Sequence, residues 1–138
     1  MGYYSDFGLR LEFKNYEELE GIEGLFISFL NESDLQEEFE RLDYINFDTI
    51  FQNVSYLTKS VYGGEKVYIC DVISYSLKFY STLDYEGKWV EKFISWLGEK
   101  EICEFHFIRV GESWEDIEEI CTDNIEFPLS MTRQIDFE

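Results

Sequence analysis

From Tyr3 to Lys14 the apolar residues Tyr3, Phe7, Leu9, Leu11 and Phe13 alternate with Asp6, Arg10, Glu12 and Lys14. Successive side chains on a strand point to opposite faces, so this spacing predicts a half-buried strand. From Tyr16 the period lengthens: Leu19, Ile22, Phe26, Phe29 and Leu30 recur at three and four residues, with Glu17, Glu18, Glu20 and Glu23 facing away. That is the period of an amphipathic helix over roughly 16–30, weakened by Gly21 and Gly24. Ser33 followed by Gln36 matches a capping box, and Leu35, Phe39 and Leu42 mark a second short helix over about 33–42 with acidic outer faces.

Residues 50–62 read as a strand, Gly63-Gly64 as a hairpin turn, and residues 65–80 as a return strand alternating through Ile73, Tyr75, Leu77 and Phe79. Asp84 is placed to cap a helix carrying Trp89, Val90, Phe93, Ile94 and Leu97, which Gly98 can end. Residues 102–110 form a further strand. An acidic stretch follows, and Met131 to Phe137 alternates as a last strand just after Pro128.

This order predicts one α+β domain: a mainly antiparallel sheet with helices on one face, in the ferredoxin-like βαββαβ order plus a C-terminal strand. Leu9, Leu11, Tyr75 and Leu77 are expected buried in the sheet. With 138 residues, 45% of them apolar and 19% aromatic, the chain has material for one core and no linker or repeat divides it.

Charge changes the picture more than composition does. The net charge is −19 and it is segregated: residues 15–58 hold eleven acids against Arg41, and residues 111–138 hold nine against Arg133. The middle is nearly neutral. Such a surface repels nucleic acid and anionic lipid, so direct nucleic-acid or membrane binding is not expected, and the fitting partner is a basic protein surface. Cys70, Cys103 and Cys121 show neither a disulfide framework nor zinc-ligand spacing, and no apolar stretch reaches the length of a membrane span. An intracellular, cytoplasmic protein is the expectation.

Catalytic machinery is not visible. His106 is the one histidine and lies in an apolar strand, projecting away from Phe105 and Phe107, while Cys103 points to the face opposite it. No phosphate-cradling glycine motif occurs, and Gly63-Gly64 precedes no helix. Glu112, Glu115, Asp116, Glu118, Glu119 and Asp123 lack the regular ligand series of a calcium loop, so no metal or other cofactor is predicted. What remains is acidic patterning. Carboxylates one helical turn or one strand repeat apart lie roughly 6–7 Å from each other, close to the phosphate spacing along one DNA strand. Glu37, Glu38 and Glu40 with Glu17, Glu20 and Glu23 offer one such array; Glu112, Glu115, Asp116 and Glu119 offer another, with Glu118 beside it as a further contact and Trp114 as an aromatic anchor.

The opening Met1-Gly2-Tyr3-Tyr4-Ser5-Asp6 resembles the start of a group of small phage and prophage proteins of undefined activity. Phe107-Ile108-Arg109-Val110-Gly111-Glu112, followed by Asp116-Ile117-Glu118-Glu119, is similar to the strand and acidic turn those proteins carry near their C-termini. The resemblance covers about half the chain and departs from it between Asn31 and Tyr62. It implies a phage setting, in which small acidic proteins block host defence nucleases. The expected function is therefore a non-enzymatic inhibitor of a nucleic-acid-handling host complex, of the anti-CRISPR or anti-restriction kind, with Glu37, Glu38, Glu40, Glu112, Glu115, Asp116, Glu118 and Glu119 as phosphate surrogates. Two alternatives stand beside it: a self-associating structural or regulatory phage protein, and a carboxylate-dependent hydrolase or divalent-metal binder.

Overall fold

The computed structural model describes residues 3–15, 21–79, 86–113, 115–131 and 135–136. Among them the elements run β1 (Tyr3–Phe13), α1 (Ile22–Glu32), α2 (Gln36–Glu40), α3 (Phe47–Ile50), β2 (Asn53–Ser60), β3 (Lys66–Phe79), α4 (Glu86–Lys100), β4 (Glu104–Gly111), β5 (Ile117–Cys121), β6 (Ser130–Met131) and β7 (Ile135–Asp136). The sheet is five-stranded in the order β2-β3-β1-β4-β5, antiparallel at every pairing. β3 and β4 flank β1 and both oppose it, so α4 joins two strands that are parallel to each other. The chain is α+β with a mainly antiparallel sheet.

Phe7, Leu9, Leu11 and Phe13 of β1, Phe105 and Phe107 of β4 and Cys70 and Val72 of β3 bury one face under α1, α3 and α4. Aromatic rings fill the layer between. Phe26 sits at its centre, 5.3 Å from Phe51, 5.6 Å from Phe93 and 5.2 Å from Phe39, mostly edge to face.

The opposite face departs from the half-solvated strand expected for β1. Arg10, Glu12, Asp71 and His106 are all buried there, because residues 125–129 fold back across the sheet and place Leu129 against Ile108, Val110 and Ile73. Each of these four side chains is matched. Arg10 makes two hydrogen bonds to Asp71, at 2.7 and 2.8 Å, and a third to the carbonyl of Phe127. The Glu12 carboxylate accepts the N–H groups of Glu126 and Phe127, and His106 Nδ1 accepts that of Leu129 at 2.9 Å.

Several local expectations are corrected. Ser33 ends α1 instead of capping α2: Asp34 takes a left-handed conformation at φ 58°, and Leu35 N–H reaches back to Leu30 carbonyl at 2.8 Å, a Schellman closure. The capping box belongs to α3, where Asn46 and Thr49 bond each other reciprocally, in a stretch between the second expected helix and the strand expected from residue 50. Residues 16–20 and Asp84, assigned to helix starts, lie outside the described residues. α4 runs past Gly98 to Lys100, and Glu101 supplies the left-handed residue.

The alternation through Ile73, Tyr75, Leu77 and Phe79 does not keep to one face. The β1–β3 register slips between Ser5 and Phe7, and Ser76 adopts φ 58° with its N–H bonded to Asp6 Oδ1. One extra residue exchanges the faces. Leu77 and Phe79 therefore join Val72 under the helices, while Tyr75 is 49% exposed. The strand expected over Met131–Phe137 is also different, since among the described residues Ser130–Met131 and Ile135–Asp136 pair with each other in a small β6-β7 ladder. The fifth strand of the main sheet is β5, inside the stretch read as an acidic connection.

Candidate functional site

The C-terminal acidic block is built on a turn between β4 and β5. Arg109 leaves β4 on the helix-covered face and is buried beneath the Phe79 ring, 5.4 Å from its centre. Its guanidinium grips both oxygens of Asp116, at 2.9 and 3.1 Å, and the Ser5 hydroxyl at 2.9 Å. Tyr3 donates to Asp116 Oδ2 at 2.6 Å and accepts the Ser113 N–H at 3.2 Å. Gly111 N–H closes the turn on the Asp116 carbonyl, and any Cβ at Gly111 would overlap the Asp116 carboxylate and the Tyr3 hydroxyl. The hydrogen bonds from Arg109 first, then from Tyr3, hold the Asp116 carboxyl below its ordinary value.

Asp116 is thus an internal brace, although the sequence placed it among partner contacts. Glu118 turns toward the same arginine, its carboxylate 3.8 Å from Arg109 Nε, and faces Glu91 on α4. Burial pushes the Glu91 carboxyl up and repulsion from Glu118 adds to this, against the opposing pull of Arg109. Glu119 stands on the other face, 2.7 Å from His106 Nε2. Because His106 Nδ1 accepts the Leu129 N–H, the neutral ring carries its proton on Nε2 and donates it to Glu119. Glu112 and Glu115 are exposed on the turn. Trp114 lies outside the described residues.

The other acidic array is carried by α2. Phe39 pins this short helix, with its ring 5.0 Å from Trp89 and 5.2 Å from Phe26, and the glutamates occupy the remaining faces. Glu37 is 89% exposed and 3.7 Å from Arg41; Glu38 pairs with Lys88 of α4 at 3.1 Å; Glu40 accepts from Gln36 at 2.8 Å. Glu23 and Glu40 rim one shallow groove of about 280 Å³ floored by Phe26, Phe39 and Phe47, so these two members of the array come together. Glu17 and Glu20 lie outside the described residues.

Sequence reasoning missed a groove between α4 and β5. Ile94, Phe105, Phe107 and Ile120 line its apolar floor, Glu91 and Glu118 stand at its rim, and its volume is about 430 Å³. Ile117 and Ile120 are three residues apart and fall on opposite faces of β5, which hid the strand from an alternation test.

Of the three cysteines, Cys70 is buried, Cys103 is half-buried and Cys121 is exposed. Burial pushes the Cys70 thiol up to about 12, so it stays protonated beside Tyr56. Among the described residues no group of three or more histidine, cysteine or acidic side chains is arranged to hold a metal, and no helix is long and apolar enough to cross a membrane. No protein-family model matches the chain, and no curated protein or solved structure matches it.

Proposed function

We propose that the chain is a non-enzymatic, phage-type inhibitor that offers carboxylates to a basic nucleic-acid-binding groove of a host defence nuclease, of the CRISPR or restriction class. The observation that carries this reading is the mounting of the acids. Glu37 and Glu40 project from a helix clamped by Phe39, and Glu112 and Glu115 project from a turn braced by Arg109, Asp116 and Tyr3. Carboxylates held on rigid supports lose little entropy when they replace phosphates, which is what a competitor of nucleic acid requires. Contact is with protein, not with nucleic acid or membrane, and it takes place in the host cytoplasm. The framework fits a ferredoxin-like βαββαβ core to which β5 is added beside β4, since both helical crossings join strands separated by one antiparallel neighbour.

The test is displacement. Purified CRISPR effectors and restriction enzymes are loaded with labelled DNA or guide RNA and titrated with the protein at low and physiological salt. Release of the nucleic acid with matching loss of cleavage, weaker at higher salt, is the expected result. Inhibition that leaves nucleic-acid binding intact, or none across the panel, refutes the reading.

A further inference from the structure

We infer that the outer edge of β5, with the adjoining groove under α4, is a docking strip for an extended segment of a partner protein in which large apolar residues alternate with lysine or arginine. The inference rests on the protein-binding reading above and gives that contact its form, a strand added to the sheet.

Hydrogen-bond parity opens the edge. Thr122 N–H donates to the Phe105 carbonyl and Gly111 N–H to the Asp116 carbonyl, so the pairs Phe105–Thr122 and Gly111–Asp116 are bonded ones. Bonded and non-bonded pairs alternate along an antiparallel ladder. Arg109–Glu118 and Phe107–Ile120 share the bonded parity, and their amides are therefore committed to β4. The backbone groups of Ile117, Glu119 and Cys121 turn outward. Ile117 N–H is used locally on the Glu115 carbonyl, which leaves both groups of Glu119 and Cys121 facing away from the sheet, with no strand beyond β5 among the described residues.

Side chains and charge then choose the occupant. On the helix-covered face Ile120 is 42% exposed beside the groove floored by Ile94, Phe105 and Phe107, a place for a large apolar side chain. Glu91 and Glu118 repel each other at its rim, and Glu119 lies on the opposite face of the same strand, so a cation on either face of an added strand meets a carboxylate. A second copy fits poorly. Pairing β5 with itself would bring Glu118 and Glu119 against their equivalents between two chains of net charge −19. β2, at the other edge, holds Lys59 and no acid between Asn53 and Ser60, so the two edges differ in sign.

The probe is a short capped peptide alternating lysine with leucine, added to the whole protein, together with two analogues N-methylated in alternate registers and one scrambled peptide. The amides of Glu119 and Cys121 should become protected from hydrogen exchange. One N-methyl register should lose about tenfold or more in affinity and the other should bind normally, because only one set of peptide amides faces β5. Glu119→Gln should keep the exchange protection of the strand but bind the peptide more weakly, because the lysines on that face lose their carboxylate. Glu119→Pro should fold, as its N–H faces outward where proline costs least, and should lose the peptide. Binding that ignores both N-methyl registers and both variants is charge adhesion and overturns the inference, as does no binding, or a dimer that the peptide disperses. If Glu119→Pro fails to fold, the N-methyl pair decides alone. Nuclease inhibition that survives without peptide binding sinks the strip and spares the inhibitor reading; peptide binding without inhibition of any nuclease does the reverse.

Discussion

Glu12 on β1 holds Phe127 by a backbone hydrogen bond of 2.6 Å, and the other oxygen of the same carboxylate accepts the N–H of Glu126 at 2.8 Å. One side chain thereby satisfies two amides of the segment that covers the sheet's second face. A glutamine can accept one of them and turns an NH₂ group on the other. Glu12→Gln should cost about 1.5–3 kcal/mol in urea unfolding and speed hydrogen exchange at Phe127, since bonds to a charged acceptor are worth more than neutral ones. A loss under about 0.5 kcal/mol, the range of neutral surface changes, would show that the segment is not held this way.

The second anchor on that face is the pair Arg10 and Asp71, each with 2% or less of its side chain exposed. Removing one partner strands the other charge in a low-dielectric layer. Asp71→Ala should therefore destabilise by about 3–5 kcal/mol, while Arg10→Met with Asp71→Leu should recover most of that loss. Equal stability of the single and double variants would mean that the pair's net contribution is not set by the stranded charge.

These buried ions also mark where the sequence was legible and where it was not. Alternation identified β1, and Leu9 and Leu11 are fully buried as it required. The period of Trp89, Val90, Phe93, Ile94 and Leu97 identified α4. Arg10 and Glu12 read as solvent-facing, because nothing in an alternating pattern reports that a distant segment will return to cover polar positions. The same blindness applies to β5, whose two isoleucines break alternation, and to the slip near Ser76, which exchanges the faces of β3 without altering its composition. Of the candidate contacts, the acidic blocks were visible as charge. That Asp116 is spent on Arg109 and Tyr3 was not, since it depends on a pairing across the first and last parts of the chain.

Asp116 gives a pH signature. Its carboxyl is held below the ordinary value of 3.8, first by Arg109 and then by Tyr3. A depressed carboxyl adds stability that is fully present above the unfolded value and is lost as pH falls through the folded one. Wild type should exceed Asp116→Asn by a constant margin above about pH 4, and the margin should shrink as acid is added below that. Tyr3→Phe should narrow the margin at neutral pH. A gap that persists unchanged down to pH 2 would exclude titration of Asp116 as its source.

The inhibitor reading predicts which acids matter, and Glu38 is not the best probe because reversing it would oppose Lys88. Glu37 and Glu40 on α2, and Glu112 and Glu115 on the turn, are exposed and can be reversed to lysine with little cost, within about 0.5 kcal/mol for each substitution. If carboxylates stand in for phosphates, Glu37→Lys with Glu40→Lys, or Glu112→Lys with Glu115→Lys, should weaken binding to the nuclease by tenfold or more, about 1.4 kcal/mol. The affected pair identifies the contacting block. Affinity should fall between low and physiological salt, because charges across a surface are screened over about 8–10 Å, and free nucleic acid should compete for the same groove. The neutral variants Glu37→Gln and Glu40→Gln should fall between parent and reversal. Should both reversed pairs bind as the parent does, with no response to salt or to competing nucleic acid, the segregated charge is a solubility device and the partner is recognised elsewhere.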